Sequence, residues 1–178
     1  MSASKPPLLP DATRELARFS AGLRFEDIPA AVVEHMKLPL LDSIGVCLHG
    51  VTLPWTRPVQ ALVEAEAAAP QASIFGSGRK SSVANAVLVN STAGHAFELD
   101  DIHKESIIHP GSLAFPVALA CAEKKGSANG RDLLSAMIAG YEVGARVGNA
   151  ATVRLLLMGF HPQGTSGAFT AAAAAAHM

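Results

Sequence analysis

Acids and imidazoles crowd into one stretch of this chain, His95-Ala96-Phe97-Glu98-Leu99-Asp100-Asp101-Ile102-His103, continuing through Ile107-Ile108-His109-Pro110-Gly111-Ser112. A second group follows fifty residues on, Gly159-Phe160-His161-Pro162-Gln163-Gly164-Thr165-Ser166-Gly167. Both contain a His-Pro pair, a glycine-bearing turn and a hydroxyl residue, and both lead into an apolar helix. Proline keeps the preceding histidine out of the helical region of backbone space. Ser112, and Thr165 or Ser166, suit the N-cap positions of the helices that follow. Each imidazole would then stand before a helix N-terminus, whose free N–H groups and partial positive charge favour a carboxylate. Histidine placed there can move protons near neutral pH. Two such units facing one another would hold a di- or tricarboxylic acid and work on its α-carbon.

Other chemistry is compatible with the same residues. Either His-Pro pair could be a plain turn carrying a solvated imidazole. His103, His109, Asp100 and Asp101 are metal-ligand types, but their order matches no tight ligand motif such as H-E-x-x-H. Asp100 and Asp101 could instead order the histidine loop by hydrogen bonding. His35, His49 and His177 read as structural or solvated.

The totals narrow the field. Lys plus Arg is 14 and Asp plus Glu is 15 in 178 residues, so no basic excess exists to neutralise a nucleic-acid backbone. The two cysteines, Cys47 and Cys121, lie in apolar stretches and form no C-x-x-C pair. They read as reduced, buried thiols and are too few to hold an iron–sulfur cluster, so a dehydration here would run on acid–base chemistry. No apolar run has the length of a signal peptide or membrane span, which leads us to expect a cytoplasmic protein without membrane contact.

The elements that must position the histidines are mainly helical. Residues 1–10, punctuated by Pro6, Pro7 and Pro10, read as a flexible tail. Asp11 is placed to cap a helix ending near Gly22. Val33, Met36, Leu40, Ile44 and Leu48 form one apolar face of a second helix starting near Pro29, and Pro39 should kink or restart it. A third helix is expected over Arg57–Ala68, and at most one short strand over residues 72–75 before the turn Gly76-Ser77-Gly78. Further helices are expected over Val83–His95, Leu113–Lys124 and Asp132–Gly148, with a last one from about Gly167. Gly140, Gly144 and Gly148 lie four apart on one helical stripe. Each costs up to about 1 kcal/mol relative to alanine, so another backbone should pack against them. The chain stops inside an alanine-rich helix, as a fragment would.

The strings His95 to Asp101, His109-Pro110-Gly111 and Gly159 to Thr165 together resemble the MmgE/PrpD family. Leu41 to Val46, Ala84 to Asn90 and Gly140-Tyr141-Glu142-Val143 agree in order. The resemblance implies an all-α helical-bundle domain over residues 11–178, incomplete here and without the C-terminal α/β lid. It also implies homodimers and chemistry needing no metal or organic cofactor. The family acts on small polycarboxylates as dehydratase or decarboxylase, with epimerases among its members. It implies active-site roles for His109 and His161, with an acid at Glu98 lining the pocket. Asp101, His103, Ser112, Gln163 and Thr165, which flank them, are the candidate substrate-binding residues. Glu98 stands where the family often has aspartate, and Ile102 where it often has threonine. A catalytically inactive helical scaffold is the contrasting expectation.

Overall fold

The structure, a computed structural model, describes residues 11–178; the expected tail at 1–10 lies outside them. In chain order, α1 spans Ala12–Gly22, and a 3₁₀ turn at Phe25–Asp27 leads to α2 over Ala30–Gly50. Next comes α3 over Arg57–Glu66, and a hairpin pairs β1 (Ala72–Ile74) with β2 (Arg79–Ser81). The remaining helices are α4 (Val83–Gly94), α5 (Gly111–Lys125), α6 (Gly130–Leu157), the single turn α7 (Pro162–Thr165) and α8 (Gly167–His177). The all-α reading is borne out. No helix among the described residues is long and apolar enough to cross a membrane.

Several details differ from expectation. Asp11 does not cap α1: its backbone is left-handed (φ 72°), its side chain makes no capping bond, and its carboxylate pairs with Arg14 at 2.9 Å. Pro39 does not restart α2, which runs unbroken past it. The strand at 72–74 has a partner in Arg79–Ser81, because an isolated strand would leave its ladder groups unbonded. Two of those three partner residues are exposed and charged, so no apolar alternation betrayed them. α6 begins two residues earlier than expected, at an Asn129–Asp132 capping box, and continues nine residues past Gly148.

α5 is the central helix. Ala114, Phe115, Val117, Ala118 and Ala120 are buried around most of its circumference, as expected of a helix apolar on every side. It packs against Ala136, Met137 and Ile138 of α6, Ala174 of α8, and Met36 and Cys47 of α2. The hairpin is clamped onto this core by polar bonds. Asn90, 1% exposed, donates to the Ser73 carbonyl and accepts from the Phe75 N–H, while Glu123 accepts from the Ser73 N–H and hydroxyl.

The glycine stripe of α6 does what its spacing suggested. A methyl at Gly140 would stand 3.0 Å from the Thr170 carbonyl oxygen of α8, and one at Gly144 only 1.9 Å from the Thr170 hydroxyl. At Gly148 it would meet Ser106 Cβ at 2.4 Å. Two structures therefore rest on bare backbone: the loop that carries the first histidine group, and the helix that follows the second. Their shared seat is the reason that groups fifty residues apart can meet.

Candidate active site

Residues 95–110 link α4 to α5 as a folded loop. His103 and Ile108 form an antiparallel bridge, with the His103 N–H donating to the Ile108 carbonyl at 2.9 Å. Ile108 and Ser106 are fully buried and sit over Gly144 and Gly148. Glu98 (φ 49°) and Ile107 (φ 54°) both adopt the left-handed region. For residues other than glycine this costs on the order of 1 kcal/mol each, which the buried loop contacts must offset.

The loop delivers His109 to the mouth of α5. Its Nδ1 lies 3.3 Å from the Asp100 carbonyl oxygen and 3.3 Å from an Asp100 carboxylate oxygen. The Asp100 side chain is 1% exposed and also meets His95 Nδ1 through both oxygens at 3.1 Å. The His95 and His109 rings stack at 4.6 Å between centroids, tilted by 55°. The hydrogen bond to Asp100 raises the His95 pKa above that of a free imidazole, against an opposing effect of burial. His95, Asp100 and His109 place one ligand-type atom each within 4.8 Å of one another, so these three, rather than the set including His103 and Asp101, could hold a metal ion.

The second histidine comes from the α6–α7 junction. His161 is exposed, with extended backbone (φ −79°, ψ 120°) before Pro162, as the proline requires. Its Nδ1 accepts the Gln163 N–H at 3.2 Å, so in the neutral ring the proton sits on Nε2. Gln163 then joins the two groups. Its Oε1 accepts the His109 N–H at 2.7 Å, and its Nε2 donates to the His109 carbonyl and the Ser112 hydroxyl, each at 3.1 Å. The two His-Pro turns are therefore tied to one another through Gln163.

The expected helix-terminal cradle is filled by the protein itself. Asp101 accepts the Gly111 N–H of α5 at 2.9 Å and the Tyr141 hydroxyl at 2.8 Å, and burial raises its carboxyl above the ordinary range. The Gln163 N–H of α7 is taken by the His161 ring. Ser112 does not cap α5; it lies inside the helix, 1% exposed, and its hydroxyl donates to the His109 carbonyl at 3.0 Å. Neither Thr165 nor Ser166 caps α8, since the Thr165 hydroxyl donates back to the His161 carbonyl at 3.2 Å and Ser166 makes no side-chain capping bond. His103 turns away from the triad, its Nδ1 bonded to the Ser106 hydroxyl at 2.8 Å. Glu98 is exposed and lies near enough to His95 to favour its charged form.

The sequence reading passed over His95 as a site residue and Tyr141 as a partner of Asp101. A signal for His95 existed: it opens the acidic string, immediately after a helix, with a carboxylate five residues ahead. Tyr141 had none, because its link to Asp101 spans forty residues. A surface groove lies elsewhere, between the Phe25–Asp27 turn and the starts of α2 and α6, lined by Ile28, Val33, Lys37 and Leu134. No histidine lines it.

Residues 14–178 match the MmgE/PrpD N-terminal domain. The chain belongs to the MmgE/PrpD family. It is 32% identical over 175 residues to a cis-aconitate decarboxylase-like protein of Aspergillus oryzae, covering 94% of this chain and 36% of that one. It is 35% identical over 144 residues to the cis-aconitate decarboxylase of Aspergillus terreus, covering 78% of this chain and 29% of the relative. The chain thus spans about a third of the length of these curated relatives. Within this MmgE/PrpD domain, the triad and the Gln163 bridge occupy the strings that carried the family resemblance.

Proposed function

We propose that this chain is the histidine-bearing part of a lyase that decarboxylates a cis-aconitate-like tricarboxylate by acid–base chemistry. The observation that supports the reading is Gln163, whose side chain holds the His109 main chain, beside Asp100 and His95, while its N–H donates to the His161 ring. In such a reaction the bond between carbon and one carboxylate breaks and CO₂ leaves. The electron pair stays on carbon, delocalised by the adjacent double bond, and an imidazolium supplies the proton that replaces the lost carboxylate. No step is routed through a metal or an organic cofactor. The helix N-termini are already capped by Asp101 and His161, so the remaining carboxylates would be gripped by side chains. Further cations would come from the portion of the relatives' length that this chain does not span. A homodimeric, cytoplasmic enzyme is the corresponding setting.

Dehydration by the same groups is the nearest alternative, favoured by the same geometry but not by the names of the relatives. The test is a chimera in which this chain replaces the matching N-terminal part of the Aspergillus terreus enzyme. We expect CO₂ release from cis-aconitate, reduced by about 10²–10⁴-fold in His109→Ala and His161→Ala. A folded, active chimera whose rate ignores both substitutions would remove the proposal. Loss of water instead of CO₂ would move it to dehydration.

A further inference from the structure

We propose that His95 and Asp100 form a positioning pair that holds the His109 ring with its proton on Nδ1, leaving Nε2 as the ring's open acceptor. This rests on the acid–base reading above, and names which imidazole moves the proton. The hydrogen-bond partner of His109 Nδ1, the Asp100 carbonyl oxygen, can only accept, so the ring satisfies it only as a donor, and the Asp100 carboxylate 3.3 Å away favours a proton on that nitrogen. A free imidazole favours the opposite tautomer, and a fixed anion beside Nδ1 overcomes that preference.

Asp100 is unusual in being almost wholly removed from water, with 1% of its side chain exposed. A carboxylate buried in that way is costly unless paired and hydrogen-bonded. His95 meets the need by facing both carboxylate oxygens at 3.1 Å, which keeps Asp100 an acceptor toward His109. The groups facing His95 are Asp100, Glu98 and the His109 ring. The His109 main chain is fixed independently by Gln163, through its N–H and its carbonyl. The ring is therefore constrained on its Nδ1 side and at its backbone.

His161 has the complementary form, since its Nδ1 accepts a backbone N–H and its Nε2 carries the proton. One imidazole thus presents an acceptor and the other a donor. His109 is the shuttle: Nε2 takes up a proton, passes it to carbon as CO₂ departs, and the ring returns to its neutral Nδ1–H form. His161 Nε2–H holds a carboxylate oxygen throughout.

Long-range ¹H–¹⁵N spectra of the histidine rings in this chain, recorded above the titration of the rings, test the assignment without requiring turnover. We expect His109 as a single Nδ1–H tautomer and His161 as Nε2–H. Asp100→Asn, which removes the charge but leaves the Asp100 carbonyl in place, should raise the Nε2–H fraction of His109 above that of wild type. His95→Gln, which keeps a donor toward Asp100, should leave the His109 tautomer unchanged and serves as the folded control. A wild-type His109 ring protonated on Nε2 overturns the proposal even if Asp100→Asn fails to fold. So does an Asp100→Asn spectrum identical to wild type. A chimera without turnover alongside a locked Nδ1–H ring would instead count against the decarboxylase reading alone.

Discussion

Replacing Gln163 by methionine keeps the length of the side chain and removes the amide that ties the two histidine turns together. Three hydrogen bonds are lost, to the His109 N–H, the His109 carbonyl and the Ser112 hydroxyl. At about 0.5–1.5 kcal/mol each they would sum to roughly 3 kcal/mol. Gln163 is only half-buried, so water recovers part of this, and we expect a loss of about 1–3 kcal/mol. For a chain of this size that lowers the midpoint by about 3–10 °C. Urea unfolding followed by circular dichroism measures the global term. The local term is the exchange rate of the His109 amide hydrogen, which should rise about tenfold for each 1.4 kcal/mol lost. Gln163→Glu keeps the acceptor for the His109 N–H but not the two donors, so its His109 amide should stay protected while stability still falls. A Gln163→Met chain within about 0.5 kcal/mol of wild type, with an unchanged His109 amide, would show that the bridge does not hold the turns together.

Two further perturbations probe the scaffold and the triad. Gly144→Ala places a methyl 1.9 Å from the Thr170 hydroxyl and should cost about 1–3 kcal/mol despite better helix propensity, whereas Gly45→Ala meets nothing within 4 Å and should be neutral or stabilising by up to about 1 kcal/mol. Thr170→Ala should rescue Gly144→Ala, since the Thr170 hydroxyl is buried with no hydrogen-bond partner among the described residues; chemical denaturation of the double variant decides this. His95 has a folded pKa raised above 6.5, so the native state keeps a proton that the unfolded chain has already released. Its contribution is complete below pH 6.5 and disappears as the pH climbs past the folded value; His95→Gln should remove that part of the decline in a stability–pH series.

Much of the helical order was legible locally. Apolar residues at steps of three or four marked α2, the glycine stripe marked the middle of α6, and Pro110 and Pro162 marked the joints before α5 and α7. Caps were legible less often. Ser82 caps α4 as a serine should, but Asp11, Ser112, Thr165 and Ser166 do not cap their helices. At α5 the position is supplied from ten residues upstream by Asp101, and at α7 by an imidazole. Any acceptor brought to a helix end by the fold can replace the local one, so residue type beside the helix is a weak guide.

By itself the sequence determined that this is an all-α domain, that histidines and carboxylates gather in two short strings, and that α6 offers a bare stripe for close approach. Those properties depend on residue type and on periodicities of three or four positions, which neighbouring residues set. Tertiary structure alone decided the rest: that Ser106 and Thr170 take the stripe, that Gln163 joins turns fifty-four residues apart, and that Asp100 faces His95 and His109 while Asp101 turns to Tyr141. Adjacent aspartates of identical chemistry acquire different partners, two imidazoles for Asp100 and the start of α5 with Tyr141 for Asp101. Such pairings follow from packing across the whole chain, and no local pattern encodes them.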